Sequence, residues 1–71
     1  MTRDQTEISK ETAVLIATGF LWVDYDLRYA KIETADDGKN WKVKFILKHG
    51  NNPSVWVRKV GGEIEKIDVP K

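Results

Sequence analysis

The stretch WKVKFILK, residues 41–48, decides the fold. Trp41, Val43, Phe45 and Leu47 are apolar at every second position, and Lys42, Lys44, Ile46 and Lys48 lie between them. A period of two is the mark of a strand with one covered and one wet face. Alternation of this kind belongs to an antiparallel sheet, because parallel sheets are covered on both sides. Trp41, Val43, Phe45 and Leu47 therefore form a wall of the core.

The neighbouring segments read the same way. LRYAKIET, residues 27–34, is a strand upstream, and ADDGKN, residues 35–40, is the turn that joins it. Asp37-Gly38 supplies residue types that tolerate positive φ there. Downstream, HGNNP is a loop and SVWVRKV, residues 54–60, is a third strand, apolar on both faces. Gly61-Gly62 turns the chain into EIEKIDV, a fourth strand. Its alternation slips between Ile64 and Ile67, which predicts a β-bulge.

Before the strands the period is helical. Ser9 is suited to an N-cap, because its hydroxyl accepts from a free backbone N–H of the first turn. Glu11 places negative charge near the positive end of the helix dipole, and Ile8 and Ala13 are spaced as a weak hydrophobic staple. The spacing predicts a helix from Lys10 to about Val23, ended by Asp24 and Asp26 on either side of Tyr25. At about 100° per residue, Ala13, Ile16, Ala17, Phe20, Leu21 and Val23 share one broad side, with Val14 at its edge. Leu15 and Trp22 stack on the opposite side, beside Glu11 and Thr18 and close to Gly19.

One helix followed by four strands on short connections predicts an α+β fold. The N-terminal helix lies on one face of a four-stranded antiparallel meander, which is the two-layer solution open to that order. Val55 and Val57 join the wall that meets the helix. Residues 1–7 lack periodicity and read as a disordered N-terminal segment. Residues 8–69 form a single domain, and 70–71 a C-terminal tail.

ISKETAVLIA (8–17), WKVKFIL (41–47) and VWVRKVGGEIEKI (55–67) together resemble the opening helix, following strand and closing hairpin of PepSY-type domains. The likeness rests on hydrophobic pattern plus Ala13, Trp41, Val43, Gly62 and Ile64. Arg58 stands where that family usually has Asp, and the hairpin turn is about one residue shorter. The resemblance implies a helix on a small antiparallel sheet and a non-catalytic binding or regulatory role, in some relatives inhibition of a peptidase. A cystatin-like helix-on-sheet fold carries much the same pattern.

Composition bounds the function. A chain of 71 residues is one domain at most, and at this size only about 60% of the unfolded surface is buried. Small domains compensate with disulfides, metals or a partner subunit. Cysteine is absent, which excludes disulfides, thiolate zinc sites and a cysteine nucleophile. Twelve basic against eleven acidic residues, a net charge of +1, give no general pull toward nucleic acid or anionic lipid. No apolar run approaches the ~20 residues that span a bilayer. MTRDQTEISK is polar and contains acids, unlike a signal or transit peptide. The expectation is a cytoplasmic protein with no membrane partner and no cofactor.

The chemistry-bearing residues read mostly as ordinary surface. His49 sits in a loop with no second strong ligand at a recognisable spacing. Asp36-Asp37 reads as turn chemistry, and no ligand series suits calcium. Gly61-Gly62 fits a hairpin turn better than a phosphate loop, and Pro53 rules out glycosylation at Asn52. No constellation supports an enzyme.

Two surfaces remain. Lys42, Lys44 and Lys48 share a sheet face with Trp56 and Arg58 of the next strand. Cations around an exposed aromatic suit single-stranded nucleic acid, with phosphates on the cations and a base on the ring. Lysines on a wet sheet face are also ordinary, and Glu33, Glu63 and Glu65 are placed to neutralise them. The second surface is the helix back: Leu15, Thr18, Gly19 and Trp22. A Trp stacked on a Leu is suited to a contact, and a two-fold dimer is the commonest oligomer. The expected function is a small non-catalytic protein-interaction or regulatory domain, a homodimer or bound to a small protein partner. Single-stranded nucleic-acid binding is the alternative.

Overall fold

A computed structural model describes residues 6–22, 27, 30–47 and 52–69. The expected helix terminator at Asp24 and Asp26, residues 1–5 of the N-terminal segment, Lys48 and His49, and the tail at 70–71 lie outside the described residues.

The helix α1 spans Lys10–Leu21. Ser9 has extended backbone, and its Oγ accepts from the Thr12 N–H at 3.1 Å, which satisfies one orphan donor of the first turn. The helix ends at Leu21, short of the expected Val23, with Trp22 as C-cap. Four strands follow: β1 (Lys31–Asp37), β2 (Asn40–Ile46), β3 (Ser54–Arg58) and β4 (Ile64–Asp68). They form one sheet in sequence order, every neighbouring pair antiparallel. The α+β meander with the helix first is therefore the observed fold.

Packing follows the two periodicities. Ala13, Ala17 and Leu21 of α1 bury against Val43 and Phe45 of β2 and Val55 and Val57 of β3, joined by Leu27. Trp41, Leu47, Val14, Ile16 and Ile64 pack around this centre. Each fully buried side chain of the size of Val43 or Phe45 contributes roughly 1.5–3 kcal/mol relative to exposure. The helix rests on the two central strands, β2 and β3. Phe20, expected on the buried stripe, is instead 45% exposed. Its position lies on a flank of α1, away from the Ala13–Ala17–Leu21 line that meets the sheet.

Three local features differ from, or refine, the sequence pattern. β1 starts at Lys31 rather than Leu27. Leu27 is buried in the core, and the Ala30 N–H donates to the Leu27 carbonyl at 3.2 Å ahead of the strand. The β1–β2 connection is shorter than ADDGKN suggests. β1 runs through Asp37, which pairs with Asn40, and Gly38 takes φ +67° at the first of the two turn positions. That is the place where a type II′ turn needs glycine. The bulge lies in β4: Trp56 pairs with Lys66 but Val57 pairs with Ile64, which leaves Glu65 unpaired.

The chain ahead of α1 is tied to the sheet. Glu7 bridges to Val60, and the Ile8 N–H donates to the Lys59 carbonyl at 2.7 Å. Gly62, at φ +71°, faces Ile8 and Ile16; a Cβ there would stand 3.2 Å from Ile16 Cδ1.

Candidate functional site

Among the described residues, the back of α1 carries the most exposed large apolar groups. Leu15 is 72% and Trp22 51% exposed. They are seven residues apart, two turns along one line of the helix. Gly19 lies between them with open space where a Cβ would stand, and Thr18 is half-buried at the margin. The core-facing line of Ala13, Ala17 and Leu21 is on the other side of the rod. Leu15, Gly19 and Trp22 are therefore brought together on one face.

That face continues into a groove. Val14 and Leu15 of α1, with Lys10 and Glu11 at the rim, face Ile32 and Thr34 of β1 across a groove of about 510 Å³. The groove exists because α1 sits over β2 and β3 and leaves the inner side of β1 uncovered; Ile32 is 40% exposed. The sequence pattern did not single out this groove, since it assigned no β1 residue to the face that meets the helix.

The outer sheet face holds the basic and aromatic residues in mutual contact. Lys42 and Lys66 pair with Trp56 from either side in the sheet. Their ammonium groups stand 5.1 Å and 4.9 Å from the indole centroid, within cation–π range. The Trp56 Nε1–H donates to Asp37 Oδ2 at 2.7 Å. Arg58 forms an ion pair with Glu65, the unpaired residue of the bulge, at 3.2 Å. Lys44 lies opposite Glu33 in the register. A base stacking on Trp56 has to displace ammonium groups already seated there, and Arg58 is engaged by Glu65.

No protein-family model, curated protein or solved structure matches this chain. Among the described residues, no group of three or more His, Cys, Asp or Glu is placed to hold a metal ion. Among the same residues, no helix is long and apolar enough to cross a membrane.

A third cluster fastens the molecule at the end of the sheet near the helix N-terminus. Lys59 is 9% exposed. Its Nζ donates to Asp36 Oδ1 at 2.5 Å and stands 4.8 Å from the Trp41 ring. The Trp41 Nε1–H donates to the Ile8 carbonyl at 3.0 Å. The cluster joins the segment before α1 to β1, β2 and the β3–β4 turn. Its signal was present in the alternation. Lys59 continues the inward series of Val55 and Val57, and Asp36 that of Ile32 and Thr34. Opposite charges at two inward positions of neighbouring hairpins mark an ion pair, here with Lys59 buried and Asp36 largely exposed.

Proposed function

We propose that this chain is a small non-catalytic interaction domain of the cytoplasm that associates with a second copy through the back of α1. The observation that carries the reading is the pairing of Leu15 and Trp22, both more than half exposed, on either side of Gly19. Trp is enriched where interfaces hold most of their energy, and an open glycine lets a second backbone come close. A helix laid antiparallel on its own copy makes a closed two-fold contact, the commonest arrangement. The PepSY-like pattern points the same way, toward binding or regulation rather than catalysis.

Nucleic-acid binding by Lys42, Lys44, Lys48, Trp56 and Arg58 is the weaker reading. What weighs against it is the engagement of Trp56 by Lys42, Lys66 and Asp37 and of Arg58 by Glu65. Such binding would weaken steeply with salt.

Sedimentation of the Trp22→Glu variant at micromolar concentration tests the main reading. The wild type is expected as a dimer and the variant as a monomer. An equal mass for both chains rules out this face as the contact. Tryptophan quenching by an oligonucleotide at low salt would favour the alternative instead.

A further inference from the structure

We propose that the outer edge of β1, unpaired among the described residues, is a second, weaker self-contact: it pairs antiparallel with β1 of another copy, centred on Ile32, and joins two sheets into one. This surface adjoins the back of α1 through Leu15, but its seam is the main chain of β1 and does not depend on the Trp22 contact.

The main-chain groups of the edge are aimed correctly. The Phe45 N–H donates to the Pro53 carbonyl across β2 and β3. Antiparallel pairs alternate between bonded and unbonded positions. Odd-numbered residues of β2 thus bond toward β3, and even-numbered ones toward β1. In the register of Lys31 with Ile46 and Asp37 with Asn40, Lys31, Glu33, Ala35 and Asp37 spend their backbone groups on β2. Ile32, Thr34 and Asp36 point theirs out of the sheet.

The side chains choose the register. Around Ile32 the sequence reads Ala30-Lys31-Ile32-Glu33-Thr34. Laid antiparallel on itself about Ile32, it sets Ile32 against Ile32 of the second copy and Lys31 against Glu33 twice, by symmetry. Opposite charges directly across an antiparallel pair are favourable and like charges are not. Centring on Glu33 would oppose two glutamates, and centring on Thr34 would oppose Ile32 to Asp36. Only the Ile32 register satisfies both charge and hydrophobicity. It also carries the second Ile32 to the mouth of the groove formed by Val14, Leu15 and Ile32. Ile32 and Thr34 donate across the seam, about four hydrogen bonds in all by symmetry. The Ala30 N–H is already committed to Leu27.

The other edge carries a similar triplet, Lys66-Ile67-Asp68, with Ile67 41% exposed. Two features set it apart. β4 is bulged at Glu65, a device that twists an edge away from partners, whereas β1 is paired to β2 without a break over its length. The Lys66 ammonium also lies on Trp56. Pairing of β1 with β4 of another copy would build an open chain of molecules; pairing of β1 with itself closes after two.

The test uses the absence of cysteine in the chain. Ile32→Cys and Thr34→Cys are made in the Trp22→Glu background, which removes the helix contact, and each is oxidised at near-millimolar concentration. Opposed residues of a bonded pair have Cα atoms about 5.5 Å apart, within disulfide reach. Two copies of residue 34 would lie four positions out of register, about 13 Å apart. The expected result is a covalent dimer from Ile32→Cys and none from Thr34→Cys. Adding Lys31→Glu to the first should cut the yield about tenfold, and adding Glu33→Lys as well should restore it, since the charges are then exchanged. The proposal is overturned if folded Ile32→Cys fails to cross-link, or if both cysteines cross-link equally. It is also overturned if Ile32→Cys joins an Ile67→Cys chain in preference to itself. Should cysteine at 32 disturb folding, the charge variants are sedimented with Ile32 intact. Lys31→Glu should then weaken association and the charge-exchanged chain recover it; equal association of the two overturns the register. These outcomes are independent of whether Trp22→Glu lowers the wild-type mass.

Discussion

Asp36→Ala offers the sharpest check on how this small domain holds together. Removing the carboxylate leaves the Lys59 ammonium with its Trp41 contact alone, in a site where the lysine side chain is 11% exposed and the aspartate 62%. Breaking a fully buried pair costs about 3–5 kcal/mol, and a fully exposed one about 0–1 kcal/mol. With one partner buried and the other largely wet, water and counter-ions compensate part of the loss, and the expected cost is about 1–2 kcal/mol. A domain this size has total stability of roughly 4–10 kcal/mol. With a urea slope near 1 kcal/mol per molar, the midpoint should fall by roughly 1–2 M. Lys59→Met keeps most of the stem against Trp41 and leaves no buried charge, so it should cost less than Asp36→Ala. In the double variant, Asp36→Ala should add almost nothing to Lys59→Met. Urea unfolding of the four chains measures this coupling. Additive losses, or a midpoint unmoved by Asp36→Ala, would refute the claim that the pair fastens the end of the sheet.

Three further outcomes follow from the local geometry. Gly19→Ala should stabilise the isolated chain by up to about 1 kcal/mol, since the site is helical and open; sedimentation should at the same time show weaker self-association. Gly62→Ala should destabilise by about 1–2 kcal/mol in thermal unfolding, because φ +71° is strained for alanine and Ile16 has to move. Ser9→Ala should cost about 1 kcal/mol through loss of the N-cap, read as a lower melting temperature.

The fold was legible wherever one periodicity dominated. The alternation from Trp41 to Leu47 gave both the strand and the face that meets the helix, and the slip between Ile64 and Ile67 marked the bulge. Phe20 misled because helical angle alone does not say how wide a strip of sheet the helix covers. The start of β1 misled because Leu27 is apolar for a different reason: it fills the core from ahead of the strand. The Asp36–Lys59 pair escaped because Asp36 read as turn chemistry and Lys59 was not followed along the inward series of Val55 and Val57. The helix back was readable in advance, since Leu15 and Trp22 lie opposite the small Ala13 and Ala17. The groove beside β1 was not, because it depends on where α1 rests across the sheet.

The strict sequence order of the sheet has a kinetic consequence. Each hairpin closes over a short span of chain, so the entropy lost at every step is small and the sheet can assemble by successive zipping. The fastening of Glu7 and Ile8 to Trp41, Lys59 and Val60 closes across most of the chain. Deleting it should speed unfolding far more than it slows refolding, the signature of a clasp that shuts after the rate-limiting barrier.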